Sequence, residues 1–202
     1  MIKLKHMLTE VQVKSIDAAI NSVISKKNLK KLVKAISNKE GWIATSNAGL
    51  GSRAYRNNNP GNLDYQSSFK QIDPNVKREK KLQGGKLTDE DGRFAHFSTP
   101  EFGVKALRDK IIRWAKGNMP TTRGNQSLIA RDFGEEFKWK SGTPPTVLQF
   151  MYTYAPPNEN SSINYVDYIL QQFGLEANDT NRNQPMINVL SSLPTITVVG
   201  KK

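Results

Sequence analysis

Apolar positions along this chain fall into five stretches of helical spacing, with a long polar interval after the second. Val13, Ile16, Ala19, Ile20, Val23 and Ile24 recur every three or four residues behind Thr9-Glu10-Val11-Gln12, a capping-box pattern. Leu32, Val33 and Ile36 predict a second helix that Asn28 can cap and that runs out at Glu40-Gly41, where Gly fits the position after a helix end. Phe102, Ala106, Leu107, Ile111 and Trp114 form a third stripe. Thr99-Pro100-Glu101 opens it with a capping hydroxyl, a proline at the first helical position and an acid in the first turn. Thr143-Pro144-Pro145 opens the fourth, through Val147, Leu148, Phe150, Met151 and Tyr154, and Pro156-Pro157 stops it. The fifth starts at Asn160 or Ser161, runs through Ile163, Val166, Ile169, Leu170 and Phe173, and closes at Gly174.

Residues 43–92 are rich in Gly, Asn, Ser and Lys. Tyr65, Phe69 and Ile72 are expected to pin short strands there. Gln83-Gly84-Gly85-Lys86 and Glu90-Asp91-Gly92 predict turns, and the aromatic run Arg93–Phe97 predicts a strand. After Leu175 the polar, Asn-rich residues 176–188 suggest a linker or loose tail, ending in one strand-like segment. The pattern is therefore α+β and mainly helical, with a small irregular β lobe between the second and third helices. Residues 1–28 form an N-terminal helical extension, 29–175 the main domain, and 176–202 a polar linker and C-terminal tail.

Charge adds a partner class. A net charge of +12 on 202 residues favours polyanions, whether nucleic acid, an anionic cell envelope or an anionic membrane. Lys26, Lys27, Lys30, Lys31 and Lys34 lie on the solvent side of the second helix, as a solvated face would. The absence of cysteine excludes disulfides, thiol nucleophiles and Cys-containing zinc sites. His6 and His96, far apart in sequence, do not suggest a metal centre. No cofactor is implied: Gly49-Leu50-Gly51-Ser52-Arg53-Ala54 matches a dinucleotide string but follows no predicted strand. No run has the ~20 apolar residues of a membrane span, and the N-terminus lacks the apolar stretch of a signal peptide. Nucleic-acid binding rests on charge alone, without an accompanying motif.

Two short strings carry chemistry. Lys39-Glu40-Gly41-Trp42 places a carboxylate at a helix C-terminus, where the macrodipole disfavours its charge, beside an indole that would desolvate it. Both effects raise its pKa, which suits an acid that must protonate a leaving oxygen. Arg53-Ala54-Tyr55-Arg56-Asn57-Asn58-Asn59-Pro60-Gly61-Asn62-Leu63 offers amide donors and acceptors on a sharp bend, able to face an amino sugar. Each string also has a plain structural explanation, as a helix end and as an Asx-rich turn.

Taken in order with GRFAHFSTPEFGVKAL and YTYAPPNENSSINYVDYI, these strings resemble a group of phage and prophage proteins with a lysozyme-like fold, described as virion-associated muramidases or lytic transglycosylases. The order is also similar to that of the wider glucosaminidase family. The resemblance runs from Leu32 to Leu175 and implies a lysozyme-like catalytic domain over 29–175. It implies that Glu40 is the catalytic acid, that Asn58, Asn59 and Asn62, with Trp42 and Arg56, line the sugar cleft, and that Phe97, Ser98, Pro100 and Glu101 form a structural corner. Tyr154 matches a late aromatic that steadies the developing oxocarbenium or the acetamido group, or else is a core tyrosine. No acid clearly matches a second catalytic carboxylate; Asp64, Asp91 and Glu101 are the candidates. The resemblance implies cleavage of the β-1,4 glycan of bacterial peptidoglycan, metal-free, by hydrolysis or by transglycosylation. It also implies a virion-associated protein acting in the host periplasm or cell wall. The alternative is a non-catalytic virion structural or nucleic-acid-binding protein on the same scaffold.

Overall fold

The computed structural model describes residues 16–42, 51–84, 86–121, 123–157 and 161–191. The expected capping box at Thr9 and the strand-like C-terminal segment lie outside them. The chain divides into two compact units, Met1–Ile111 and Ile112–Lys202. The architecture is α+β and mainly helical, with one small two-stranded sheet among the described residues.

In the first unit, residues 16–23 form helix α1 and Lys27–Lys39 helix α2. Leu29, Leu32, Val33 and Ile36 are buried, while Lys27, Lys31 and Lys34 are exposed, as the 3.6-residue period requires. Lys34 pairs with Asp17 at 2.9 Å and Lys30 reaches the side chain of Asn21, tying α2 to α1. Asn28 does not cap α2. The helix begins at Lys27 behind Lys26, with no side-chain cap, and Asn28 sits inside its first turn. Arg53–Arg56 form the single turn α3, which Ser52 caps by accepting from Tyr55 N–H.

No strand forms at Tyr65–Ile72. Ser67–Gln71 make a 3₁₀ turn instead, and Phe69 is buried against Phe97. Strands β1 (Lys77–Gln83) and β2 (Lys86–His96) pair antiparallel across the expected turn at Gln83-Gly84. Glu90-Asp91-Gly92 is not a turn. Between the pairs Arg78↔Ala95 and Lys80↔Asp91, β1 advances two residues while β2 advances four, so β2 bulges there. Residues that bend a chain in a turn bend a strand in a bulge. Gly92 is needed for space: a Cβ on it would lie 2.6 Å from the Glu79 side chain.

Helix α4 (Pro100–Ala115) starts as predicted, and the buried Asp73 accepts from the backbone N–H of Ser98 at 2.7 Å just ahead of it. In the second unit, α5 (Arg123–Phe133), α6 (Val147–Tyr154) and α7 (Ser162–Gln172) enclose an aromatic cluster. Phe150 stands edge-on to Trp114 at 5.6 Å, and Tyr152 edge-on to Phe133 at 5.3 Å. The cap of α6 is Thr146, not Thr143: Thr146 and Gln149 form a reciprocal capping box. The expected loose tail is a correction. Asp179–Arg182 and Met186–Ser191 form the short helices α8 and α9. Arg182 holds Asp167 through two 2.9 Å bonds, Met186 N–H bonds the Pro145 carbonyl, and Met186 and Val189 are buried. No helix among the described residues is long and apolar enough to cross a membrane.

Candidate functional site

Lys39-Glu40-Gly41-Trp42 is a helix stop of the Schellman type. Gly41 takes φ +78°, its N–H bonds the Asn38 carbonyl, and the N–H of Trp42 bonds the Ser37 carbonyl at 2.9 Å. Glu40 is the last residue before that reversal, with φ −74° and ψ 0°. Trp42 follows as the apolar residue that seals the stop, 2% exposed and edge-on to Tyr55 at 5.7 Å.

The asparagine string repeats the device. After α3, Asn58 takes φ +47°, its N–H bonds the Tyr55 carbonyl, and the N–H of Asn59 bonds the Ala54 carbonyl. Asparagine replaces glycine at the left-handed position because its short polar side chain tolerates it and bonds locally. Here the Asn58 amide donates to the Phe97 carbonyl at 3.0 Å, which glycine could not do. Asn59-Pro60-Gly61-Asn62 then turns again, closed by Asn62 N–H on the Asn59 carbonyl, with Asn62 at φ +43°.

Each asparagine side chain has a destination. Asn59 is fully buried; its amide donates to the carbonyls of Leu63 and Ala95, and its oxygen accepts from Leu63 N–H. Asn57 donates to the carboxylate of Glu79 at 2.8 Å. Asn62 donates to Oε2 of Glu40 at 2.9 Å and more weakly to its backbone carbonyl at 3.4 Å. The turn itself is braced by α4: a Cβ at Gly103 would sit 1.9 Å from the Asn58 carbonyl oxygen. Only glycine allows that approach, so the strand-to-helix corner exists to hold the asparagine turn.

Several expected cleft residues have partners within the fold. Asn59 is fully buried with its side chain bonded inside the turn, and Trp42 is buried edge-on to Tyr55. Arg56 is half-buried and bonds the Gly51 carbonyl at 2.9 Å, which stiffens the loop before α3. Asn58 is half-buried and braces Phe97. Asp64 and Asp91 are exposed and ion-paired with Arg93 and Lys80, and Glu101 is exposed in the first turn of α4. Tyr154 belongs to the second unit, half-buried within 6.4 Å of the rings of Trp114 and Phe150 and at 6.3 Å from that of Tyr165.

Glu40 thus has its helix end and the Asn62 amide acting in opposite senses: the macrodipole disfavours the ionised form, and the donated hydrogen bond favours it. The site also carries unmet polar groups. Trp42 Nε1 and Asn62 Oδ1 are two of three buried side-chain polar atoms with no hydrogen-bond partner among the described residues. Each orphan costs about 1–3 kcal/mol, and a bond to a charged group returns about 1.5–3 kcal/mol.

Sequence reasoning passed over Glu79. It is buried on β1, bonded to Asn57 and 3.9 Å from Arg53 Nε. The only signal was a lone acid in a basic strand, too weak to single out. His96 stands nearby, its Nδ1 3.3 Å from Asn57 Oδ1. Burial first, then the charge of Lys77, lowers its pKa, against the opposing pull of Asp73 and Glu79. Among the described residues no group of three or more His, Asp or Glu is arranged to hold a metal ion.

Compared with family models, curated proteins and solved structures, the chain matches none.

Proposed function

We propose that the protein is a peptidoglycan-cleaving enzyme with a lysozyme-like fold, acting on the β-1,4 glycan strand with Glu40 as its general acid and base. The observation that carries this reading is the Asn62–Glu40 hydrogen bond. Two strings apart in sequence, each explicable alone as a helix stop, meet with an amide aimed at a carboxylate. A turn needs no such partner, and a helix end needs no such carboxylate.

In the first step Glu40 gives its proton to the bridging oxygen as the C1–O bond breaks, leaving an oxocarbenium-like sugar. The Glu40 carboxylate then takes a proton from the group that attacks C1. Water as that group makes a hydrolase. The sugar's own C6 hydroxyl makes a 1,6-anhydro end and hence a lytic transglycosylase. The substrate's acetamido group can take the nucleophile's part in the hydrolytic route, Asp64 and Asp91 being ion-paired with Arg93 and Lys80. Virion association and action in the host cell wall belong to the same reading. The net charge of +12 supports it by raising the local concentration of enzyme on an anionic envelope.

The experiment is digestion of purified peptidoglycan by the wild type and by Glu40→Gln, with the products read by mass spectrometry. Muropeptide release by the wild type and none by the mutant is the expected result. Anhydro or reducing ends then choose between the two chemistries. No release by the wild type from several peptidoglycan types would sink the proposal in favour of a non-catalytic virion protein.

A further inference from the structure

We propose that Asn62 is the positioning residue of Glu40: its amide donates to Oε2 and so fixes the bearing at which the carboxyl presents its proton. This rests on Glu40 being the general acid of the cleavage proposed above.

The sequence alone suggests a different role, in which Asn62 hydrogen-bonds the sugar. Its side chain has little left to offer one. The nitrogen donates to Oε2 of Glu40 at 2.9 Å and to the Glu40 carbonyl at 3.4 Å, and Oδ1 is buried without a partner among the described residues. Both polar ends are turned inward. What the amide does accomplish follows from carboxyl chemistry. An ionised carboxylate accepts on either oxygen, whereas the hydroxyl oxygen of a protonated carboxyl is a poor acceptor. Oε2, accepting from Asn62, therefore keeps its acceptor role when the carboxyl is protonated.

Both partners of this bond are held by their backbones. Glu40 is fixed by the stop at Gly41, and Asn62 by its left-handed φ of +43° and its bond to the Asn59 carbonyl. Asn59 in turn is anchored to Leu63 and Ala95. The acid is therefore oriented before substrate arrives, which is where catalytic groups gain most.

Two substitutions separate the roles. Asn62→Gly deletes the amide at a residue whose positive φ glycine accepts without strain. Asn62→Asp keeps shape and backbone tolerance but sets a second carboxylate against the first. The readouts are a ¹³C carboxyl titration of Glu40, assigned against Glu40→Gln, and the pH profile of kcat and KM on solubilised glycan strands.

Asn62→Gly is expected to raise the Glu40 midpoint by about one pH unit. It should lower kcat by about 10- to 100-fold with KM little changed. Asn62→Asp should raise the midpoint further, because two carboxylates in contact share one proton. The opposite pattern, a raised KM with kcat and midpoint unmoved in both variants, makes Asn62 a sugar ligand and overturns the proposal. If Asn62→Gly does not fold, the Asp variant decides by the same criteria. A wild type that cleaves no glycan removes the proposed function, whereas the titration still decides whether Asn62 governs the Glu40 carboxyl.

Discussion

Two carboxylates in the first unit are each held by an amide from the same short turn, and they are held to different ends. Asn57 donates to Glu79 at 2.8 Å, and Asn62 to Glu40 at 2.9 Å. Around Glu79 the surroundings are closed. The side chain is buried on a strand, Arg53 lies 3.9 Å away, and a Cβ on Gly92 would lie 2.6 Å from it. Around Glu40 they differ. The carboxylate is half-buried at a helix terminus, and Trp42 and Asn62 each have a buried polar atom without a hydrogen-bond partner among the described residues. A satisfied buried carboxylate is a structural member. One at a helix end that accepts an aimed amide, beside buried polar atoms unpaired among the described residues, is the candidate working group.

The largest effect should come from exchanging the two roles. Glu40→Gln is expected to lower glycan cleavage by about 10³-fold, the range for loss of a general acid, with the melting temperature unchanged. Equal loss of activity in Glu40→Gln and Glu79→Gln, measured as initial rates on folded protein, would erase the distinction.

Next in size is Gly103→Ala. The new methyl would meet a backbone oxygen at 1.9 Å, and backbone cannot swing aside as a side chain does. A loss of about 3 kcal/mol in urea unfolding is expected, at the top of the range for overpacking. Since that turn carries Asn57 as well as Asn62, both carboxylates should lose their donors together. A stable Gly103→Ala with full activity would mean that α4 does not brace the turn.

Glu79→Ala comes third. It strands the buried Asn57 amide and removes a charge-assisted bond, for about 2 kcal/mol of destabilisation by the same assay. A change below about 0.5 kcal/mol, as ordinary surface substitutions give, would put Glu79 among the surface acids.

How much of this was legible in the sequence depended on whether its cause was local. The stop at Gly41 was readable because a left-handed residue after an amphipathic helix is most often glycine. The same stop at Asn58 read only as a turn, since asparagine reaches that conformation less often and for several reasons. The start of α4 at Thr99-Pro100-Glu101 was clear. Helix α5 was not, because among its described side chains only Ile129 is fully buried and the apolar period is too sparse to show. The helices over 179–191 hid behind an Asn-rich composition, although Asn178 caps the first and Met186 and Val189 anchor the second. Glu40 was found through its helix end. Glu79 was missed because nothing within β1 signals an amide arriving from a residue 22 positions away.

The smallest prediction concerns pH and separates the two regions by a different route. His96 is half-buried beside Asn57, facing Lys77, Asp73 and Glu79, and its folded-state pKa is lowered, burial being the first cause. Below the ordinary histidine value of 6.5, the unfolded chain binds a proton that the folded one resists. Stability should therefore rise with pH through that region and fall as pH drops below it. His96→Gln should flatten that part of the melting-temperature profile between pH 7 and 5 while leaving the pH dependence of the proposed cleavage where it was. Identical slopes in the two proteins would show that His96 titrates no differently once folded. A shifted cleavage profile would show that the Glu79 region and the Glu40 region are coupled through their common turn, and that the two amides act as one device.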